Sequence, residues 1–215
     1  MANDTRERFL DTAEALFAER GFYGVSIAAI AAELGLTKQA LLHHFSSKEK
    51  IYGDVLRRIS ARFEAIAPDT DRDTERDTNR DTERQAEAAG RDPAKHLVDF
   101  FAALYAESLE HPDQIRLLMR ELLDNKRRAD AVGTWYLKPF LERLIEMLKA
   151  VSNWRDADEA CALVAVYQIL GAINYYVLSD TTLVGIFGED LKSELDRAFP
   201  EQLQRLIDAV METHG

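Results

Sequence analysis

Apolar residues recur at intervals of three and four along most of the chain, which is the spacing of amphipathic helices. In the first such segment, Phe9, Ala13, Leu16 and Phe17 share one face. No stretch alternates apolar and polar residues in the manner of a convincing strand. The pattern predicts an all-α fold of about nine helices, with a small N-terminal domain and a larger C-terminal helical domain.

Capping residues set the boundaries of the first three predicted helices. The first helix begins near Asp4 and ends at Gly21, because glycine readily adopts the left-handed conformation that closes many helices. Ser26 and Thr37 have side-chain oxygens that cap the second and third helices, and Gly35 separates the two. Residues 26–45 are therefore predicted to form two short helices joined by a tight turn.

A fourth helix and five later helices complete the predicted order. Ser46 stands three residues before Glu49, which is capping-box spacing, and Pro68 closes the N-terminal unit. Helical periodicity then covers approximately 93–110, 113–125, 127–150, 156–180 and 189–213, with Pro200 a candidate break. We expect an N-terminal domain at 1–67, a linker or extension at 68–92, and a C-terminal domain at 93–215.

Residues 69–84 are four tetrapeptides of the form Asp-Thr-x-Arg, in which x is Asp, Glu, Asn and Glu in turn. They contain no apolar residue, so the segment has nothing to bury. A helical form would gain Asp–Arg pairs three residues apart but would also place aspartates four apart. We expect an exposed linker or a frayed helical extension, and an acidic regulatory element or DNA mimic is the alternative.

The net charge of −11 is distributed unevenly. It is 0 over residues 1–67, −4 over 68–92 and −7 over 93–215. Phosphate contacts depend on where cations project rather than on the total charge. The excess of acidic residues therefore does not exclude nucleic-acid binding by the N-terminal domain, and it does not indicate such binding either.

Several functional classes have no support in the sequence. No run of about 18 apolar residues predicts a membrane-spanning helix, and residues 1–9 lack the apolar core of a secretory signal. One cysteine, Cys161, allows no internal disulfide, which is typical of a reducing compartment. No glycine-rich phosphate loop, metal-ligand spacing or nucleophile beside a histidine is present. We expect a cytoplasmic protein that is not an enzyme, needs no cofactor or metal and has no membrane partner.

The third predicted helix combines an anchored face with a polar face. Leu41 and Phe45, four residues apart, would pack inward. Lys38 and Gln39 would project from the first turn, where lysine can donate to guanine O6 and N7 and glutamine can pair with adenine. Ala40 is small enough for close approach and can contact a thymine methyl group. This chemistry suits a helix that reads base edges.

Other side chains near this helix suit contacts with phosphate. Ser26 and Thr37 carry hydroxyl donors at the starts of the second and third helices, where backbone N–H groups are also available. His43 lies on the exposed side of the third helix, and Lys48 at the start of the fourth can neutralise a phosphate. The alternative is a structural pair of packed helices, because any bundle has similar caps and apolar spacing.

Dense motif matches give residues 5–58 a family resemblance. The motifs are Ala13-Glu14-Ala15-Leu16-Phe17, Gly21-Phe22, Ile30-Ala31-Ala32-Glu33-Leu34-Gly35, Leu41-Leu42-His43-His44-Phe45 and Ser47-Lys48-Glu49. With these motifs the segment resembles the N-terminal domain of TetR-family transcriptional regulators. The resemblance implies a cytoplasmic homodimer, usually a repressor, that binds an operator in double-stranded DNA and an effector within its C-terminal helices.

The resemblance also assigns DNA contacts to individual positions. Those that the family commonly uses are Ser26, Thr37, Lys38, Gln39, Ala40, His43 and Lys48. Leu42 departs from the family pattern, which most often has a tyrosine there whose hydroxyl donates to phosphate. Leucine has no donor, so this contact is lost or is replaced by apolar contact with a sugar or a thymine methyl group.

Expectations for the C-terminal domain rest on the family architecture. The last two long helices would form a four-helix dimer interface, to which Gly171, Ala172 and an apolar stripe of Leu203, Leu206, Ile207 and Val210 would contribute. The dimer would present two recognition helices roughly 34–36 Å apart to a near-palindromic operator. A mostly apolar small-molecule effector would bind among aromatic and amide side chains. The candidates are Phe101, Tyr105, Trp135, Tyr136, Phe140, Tyr167 and Asn174, for each of which plain core packing is the alternative.

The leading interpretation is a ligand-responsive, sequence-specific DNA-binding repressor that acts as a dimer on a palindromic operator. The alternative is an all-α small-molecule-binding or adaptor protein without specific DNA recognition, which Leu42 and the acidic balance favour. Specific and steeply salt-dependent operator binding separates the two interpretations.

Overall fold

A computed structural model describes residues 2–66, 92–124 and 137–213, which are helical except for short connections. The α-helices in these ranges are α1 (Ala2–Gly24), α2 (Ile27–Glu33), α3 (Lys38–His44), α4 (Lys48–Glu64), α5 (Pro93–Glu110), α6 (Pro112–Asp124), α7 (Lys138–Ala150), α8 (Glu159–Leu178) and α9 (Asp180–Glu212). A 3-10 turn occupies Ser152–Trp154. The predicted all-α fold is confirmed. The repeat at 69–84 and the candidates Trp135 and Tyr136 lie outside the described residues.

The described helices form two compact units. The first contains residues 2–64, 111–124, 137 and 138, and the second contains 65–66, 92–110 and 139–213. Residues 93–215 were predicted to form one domain, whereas α6 groups with α1–α4 in the structure. One residue, His111, separates α6 from α5 along the chain. The first unit therefore includes a helix that is distant in sequence.

Helix α1 is the centre of the first unit, where it packs against α2, α4 and α6. Its predicted apolar face is confirmed, since Phe9, Ala13 and Phe17 are completely buried. The ring of Tyr52 on α4 meets Phe17 edge to face, with 4.9 Å between the ring centroids. Aromatic packing thus holds α4 against α1.

Left-handed glycines occur at both positions that were predicted to end α1 and α2, although α1 continues beyond Gly21 to Gly24. Gly21 has φ of +70° and interrupts the regular geometry of α1, and Gly35 has φ of +66° after α2. Other residues rarely adopt this left-handed conformation without strain. Helix α1 begins at Ala2, two residues before the start predicted at Asp4.

The cap of α4 differs from the prediction by one residue. The helix begins at Lys48, and the Oγ atom of Ser47 accepts a hydrogen bond from the N–H of Lys50 at 3.2 Å. Ser46 was predicted to be the cap, but an N-cap side chain reaches only the N–H groups two and three residues ahead. Hydrogen bonds from its own backbone N–H and from Ser47 lower the pKa of Glu49 in the first turn of this helix.

In the second unit, α5, α8 and α9 pack against one another. Phe100 of α5, Ile169 of α8 and Ile207 of α9 are almost completely buried. The 3-10 turn closes the end of α9, because the indole N–H of Trp154 donates to the carbonyl of Val210 at 2.8 Å. This bond satisfies one of the carbonyl groups that a helix C-terminus leaves unpaired.

Helix α9 differs from its prediction in two ways. It extends back to Asp180 across a kink at Gly188, after which the regular segment begins at 189 as predicted, and it continues through Pro200, so the break considered there is wrong. The irregular position is Gly188, which has φ of +81°. A proline removes one N–H donor from a helix, whereas a left-handed glycine changes the direction of the backbone.

Candidate DNA-binding site

The turn between α2 and α3 is closed by backbone hydrogen bonds. The N–H of Leu36 and the N–H of Leu34 both donate to the carbonyl of Ala31, at 2.9 and 3.2 Å. The N–H of Gly35 donates to the carbonyl of Ala32 at 2.9 Å. These bonds and the left-handed Gly35 fix the short connection that the sequence predicted. The result is a helix-turn-helix of two seven-residue helices.

Two side chains cap these helices as predicted. The Oγ atom of Ser26 accepts from the N–H of Ala29 at 3.0 Å, and the Oγ1 atom of Thr37 accepts from the N–H of Ala40 at 3.2 Å. Both capping residues are exposed to solvent. A hydroxyl oxygen that accepts in a cap keeps an O–H group with which it can donate outward.

Helix α3 is anchored by the two apolar residues that the sequence identified. Leu41 is 0% exposed and Phe45 is 2% exposed. The ring of Phe45 meets Phe9 edge to face at 6.3 Å, and the guanidinium of Arg6 lies 5.1 Å from the Phe45 ring centroid. These contacts fix the orientation of α3 relative to α1.

The opposite side of α3 is exposed and mostly polar. Lys38, Gln39, Leu42 and His43 are exposed, whereas Ala40 is half-buried. Leu42 itself is 38% exposed and therefore reaches solvent rather than the core. The structure thus brings the predicted base-reading residues to one exposed face. Their contacts with DNA stay predictions.

The two adjacent histidines have different surroundings. His43 is exposed, whereas His44 is half-buried with its ring centroid 5.6 Å from that of Phe9. Adjacent residues on a helix point about 100° apart, which accounts for the difference. His43 therefore belongs to the exposed face, and His44 contributes to packing on α1.

Lys48 makes contacts that the sequence analysis did not identify. Its Nζ atom donates to the carbonyl of Phe22 at 2.9 Å and to the carbonyl of Val25 at 3.0 Å. The same atom lies 4.2 Å from the centroid of the Phe22 ring. No sequence spacing indicates this contact, because the lysine and its partners lie 23 and 26 residues apart. The phosphate contact of Lys48 stays a prediction, and the structure adds a role in shaping the connection before α2.

Ion pairs fix α4 on α1. Asp54 is almost completely buried, and its carboxylate accepts from the Nη2 atom of Arg6 at 2.7 Å. Arg58 of α4 forms ion pairs with Asp11 and Glu14 of α1. Burial alone would lower the pKa of Arg58, but the bonds to Glu14 and Asp11 outweigh it and raise that pKa. The guanidinium therefore stays charged in its partly buried position.

Helix α6 also makes polar contacts within the first unit. The hydroxyl of Tyr52 donates to the Oε2 atom of Glu121 at 2.7 Å, and both residues are buried. The Nη2 atom of Arg120 donates to the carbonyl of Glu19 at 3.1 Å. These contacts connect α6 to α4 and to the end of α1, next to the segment that leads into α2.

The described candidate effector residues differ in exposure. Phe101, Tyr105 and Phe140 are buried, Asn174 is half-buried, and Tyr167 is 42% exposed. The ring centroid of Phe100 lies 6.0 Å from that of Phe101 and 6.4 Å from that of Phe140. Their roles in effector binding stay predictions.

Tyr105 belongs to an aromatic group that the sequence analysis did not identify as a unit. The rings of Tyr176 and Phe199 are stacked, with centroids 3.8 Å apart. The Tyr105 ring centroid lies 5.0 Å from that of Phe199. Three helices contribute these rings, so no single helical pattern contains the group.

An ionic group adjoins these rings. The Nζ atom of Lys192 lies 2.7 Å from a carboxylate oxygen of Asp180 and 2.5 Å from one of Asp196. Burial raises the pKa of Tyr176, and the bond that its hydroxyl donates to Asp196 at 2.6 Å adds to the effect. Bonds from Lys192 and Tyr176 lower the pKa of Asp196. Lys192 thus bridges acidic residues on either side of the irregular Gly188.

Helix α8 has an exposed apolar face. Val164, Tyr167 and Tyr175 are 59%, 42% and 79% exposed. Gly171 is also exposed, and a Cβ atom added there would meet nothing within 4 Å. With a mean hydropathy of 1.6 over an 18-residue window, α8 is long and apolar enough to cross a bilayer when only length and composition are considered. The core helix of a soluble protein has the same composition.

The apolar stripe predicted near the C-terminus faces the core of the second unit and not a second copy of the chain. Leu203, Ile207 and Val210 are buried within the second unit, with exposures of 4%, 1% and 7%, and Leu206 is half-buried. They were expected to contribute to a dimer interface, but they fill the core of the protein itself. Helical periodicity identified the stripe correctly and did not identify what covers it.

Comparison with known proteins places this site in a family. Residues 9–55 match the profile of the bacterial regulatory proteins of the tetR family. The repressor KstR2 of Mycobacterium tuberculosis is 36% identical over 72 residues, which cover 32% of this chain and 36% of KstR2. The repressor NicS of Pseudomonas putida is 25% identical over 210 residues, which cover 92% of this chain and 87% of NicS. The chain thus spans about a third of the length of KstR2 and most of NicS.

Solved structures agree at the level of the fold. The fatty acid degradation regulator FadR from Bacillus halodurans superposes with a TM-score of 0.61 at 16% sequence identity, covering 94% of this chain and 93% of FadR. The capped helix pair, its buried anchors and this fold define a helix-turn-helix protein. Residues 9–55 belong to the TetR family of bacterial regulatory proteins, and the fold of the chain is similar to that of FadR.

Proposed function

We propose that the protein is a sequence-specific DNA-binding transcriptional repressor that acts as a homodimer in the cytoplasm and responds to a small-molecule effector. The observation that carries this proposal is the two-sided character of α3. Leu41 is completely buried, while Lys38, Gln39 and His43 are exposed on the other side. A helix held in this way can present donors and acceptors to base edges in the major groove.

The proposed DNA contacts fall into two groups. Lys38 and Gln39 read base edges from the first turn of α3, and half-buried Ala40 allows that turn to approach the DNA closely. The exposed hydroxyls of Ser26 and Thr37 donate to phosphate.

Three further residues complete the proposed surface. His43 lies beside the base-reading residues on the exposed face of α3, and Leu42 contacts a sugar or a thymine methyl group. Lys48 adds positive charge near the backbone, because its hydrogen-bond partners Phe22 and Val25 contribute neutral carbonyl groups.

The proposed dimer uses the last two long helices, α8 and α9, and α8 contributes an exposed apolar face. Burial of an apolar helix face requires a partner, and the exposed Val164, Tyr167 and Tyr175 have none within the described part of this protomer's second unit that covers them. Open space around Gly171 allows the backbone of a second α8 to approach closely. A twofold axis at this helix would pair two copies of α3 for the two halves of a palindromic operator.

The proposed effector is a mostly apolar small molecule bound in the second unit. Buried aromatic residues on α5 and α7 provide apolar surface, and the hydroxyl of Tyr105 and the amide of Asn174 provide polar groups. The candidate residues within the described chain are Phe101, Tyr105, Phe140, Tyr167 and Asn174. Binding that favours one spacing of the two α3 helices would switch operator affinity.

Selection of bound sequences from a random DNA duplex pool tests this function. We expect one near-palindromic sequence to be enriched, with affinity that falls steeply as salt rises. Repeating the selection with apolar, aromatic and acidic compounds would identify effectors that release the duplex. Weak binding without sequence preference would instead support the small-molecule-binding or adaptor alternative.

A further inference from the structure

Residues 21–25, which connect the regular part of α1 to the cap of α2, are fixed by one backbone conformation and two kinds of contact. Gly21 adopts the left-handed conformation with φ of +70°. The ring of Phe22 packs against Tyr52 at a centroid distance of 5.0 Å, and Lys48 binds the carbonyls of Phe22 and Val25. The connection is therefore fixed by α4 as well as by its own sequence.

Tyr23 projects from this fixed connection into solvent. Its side chain is 65% exposed, while its ring meets Phe22 edge to face with centroids 5.3 Å apart. An aromatic side chain on a fixed backbone loses little entropy when it binds a partner, because it has only two side-chain torsions. Tyr23 is thus an exposed and positioned group rather than one on a loose loop.

Two predicted DNA contacts bracket Tyr23. Ser26 follows it by three residues, and the Lys48 ammonium binds the carbonyls on either side of it. We propose that Tyr23 contacts the DNA backbone of the operator and that Lys48 positions it, an inference that rests on the DNA-binding function proposed above. The phenol hydroxyl donates to a phosphate oxygen, and the ring packs against the adjoining sugar.

This assignment compensates for a feature of α3. Leu42 is exposed but has no hydrogen-bond donor, so α3 lacks a phenol at that position. Tyr23 supplies a phenol from the connection before α2 instead. Lys48 then acts through the backbone of residues 22–25, since two of its three N–H donors bind carbonyls there.

The salt dependence of operator binding separates the neutral Tyr23 contact from the charge of Lys48. A lysine that neutralises a phosphate adds about 0.9 to the slope of log affinity against log salt concentration. A neutral phenol that donates to phosphate changes affinity without releasing a counterion. Loss of Tyr23 should therefore lower affinity at an unchanged slope, whereas loss of the Lys48 charge should lower affinity and also reduce the slope.

The experiment measures binding of the selected operator duplex at several salt concentrations. We expect Tyr23→Phe to weaken binding about tenfold, because hydrogen bonds to charged groups are the stronger ones. Lys48→Met should weaken binding at least as much, and the double variant should be no weaker than Lys48→Met alone. Lys95→Met, which removes an exposed lysine from α5, is the matched charge control and should bind as the parent does.

The outcomes distinguish this inference from the function on which it rests. Failure of the parent protein to select any duplex would contradict the DNA-binding function itself. Specific binding by the parent with equal affinity for Tyr23→Phe would overturn the assignment of Tyr23 alone. Effects of Lys48→Met and Tyr23→Phe that simply add in the double variant would overturn the positioning role of Lys48. The exposed Tyr23→Phe change leaves the fold intact, so its result stands even if Lys48→Met unfolds.

Discussion

Helices α3 and α8 both have one buried side and one exposed side, yet their exposed sides have opposite chemistry. The exposed side of α3 carries Lys38, Gln39 and His43. The exposed side of α8 carries Val164, Tyr167 and Tyr175. A polar face suits a hydrated, charged partner such as DNA, whereas an apolar face is stable only when another apolar surface covers it.

The two helices also differ in how they are held. Helix α3 has seven residues, of which Leu41 is the buried one, so its orientation depends on Thr37, the turn at Gly35 and the adjoining Phe45. Helix α8 has 20 residues and buries six of them, so its packing depends less on its caps. A short helix cannot bury enough surface to position itself, and its caps and turn therefore matter more.

The largest expected effect comes from placing a charge on the exposed face of α8. Gly171→Arg should convert the dimer to a monomer and weaken operator binding about 1,000-fold, because two linked half-sites bind far more tightly than one. Open space around Gly171 lets the protomer itself fold. Light scattering after size-exclusion chromatography and operator titration measure the two effects.

Leu123→Asp is the matched control for this change. It places a charge on another exposed apolar residue, one that is 84% exposed on α6. It should leave the protein dimeric. A Gly171→Arg protein that remains dimeric would show that α8 does not face the second copy.

The next effect tests how α3 is anchored. Leu41→Ala should lower the free energy of unfolding by about 3 kcal/mol, because it removes a completely buried side chain and leaves a cavity. The adjacent Leu42→Ala, at a position 38% exposed, should change it by no more than about 0.5 kcal/mol. Urea unfolding measures both. Equal effects would mean that α3 is not anchored by one side of the helix.

A smaller effect is expected on the exposed side of α3. Lys38→Ala and Gln39→Ala should each weaken operator binding about tenfold to a hundredfold, because a lost base contact costs about 1–3 kcal/mol. Each variant should also lose preference at one operator position, which repeated selection would reveal. Unchanged affinity and base preference in both variants would defeat their assignment as base-reading residues.

The smallest effect is expected at Leu42, the apolar residue on the otherwise polar face. Leu42→Tyr should strengthen operator binding about threefold to tenfold by adding a phosphate donor. Leu42→Phe is the control, since it adds the ring without the hydroxyl. A gain in both variants would assign the effect to apolar contact rather than to a hydrogen bond.

Short-range signals in the sequence predicted most of the candidate DNA-binding surface on α2 and α3. Ser26, Thr37 and Gly35 act on residues within three or four positions, and each has the predicted structural role. Leu41 and Phe45 were identified because a helix places residues four apart on one side. The predicted cap of α4, Ser46, lies one residue before the observed cap, Ser47, since two adjacent serines offer the same capping group.

Long-range contacts were not predictable in the same way. Lys48 binds carbonyls more than 20 residues away, and Tyr52 donates to Glu121 across 69 residues. Neither partner is specified by local spacing. The exposed position of Tyr23 likewise became apparent only when the packing of Phe22 and Lys48 was known.

The sequence by itself determined the helical fold class, the capped helix pair at 26–45 and the apolar faces of the helices. The tertiary structure decided which surface covers each face. It buried Leu203 and Ile207 within the protein, left Tyr175 of α8 exposed, and grouped α6 with the first unit. The physical reason is that helical periodicity specifies which residues share a side, whereas burial depends on partners that are distant in sequence.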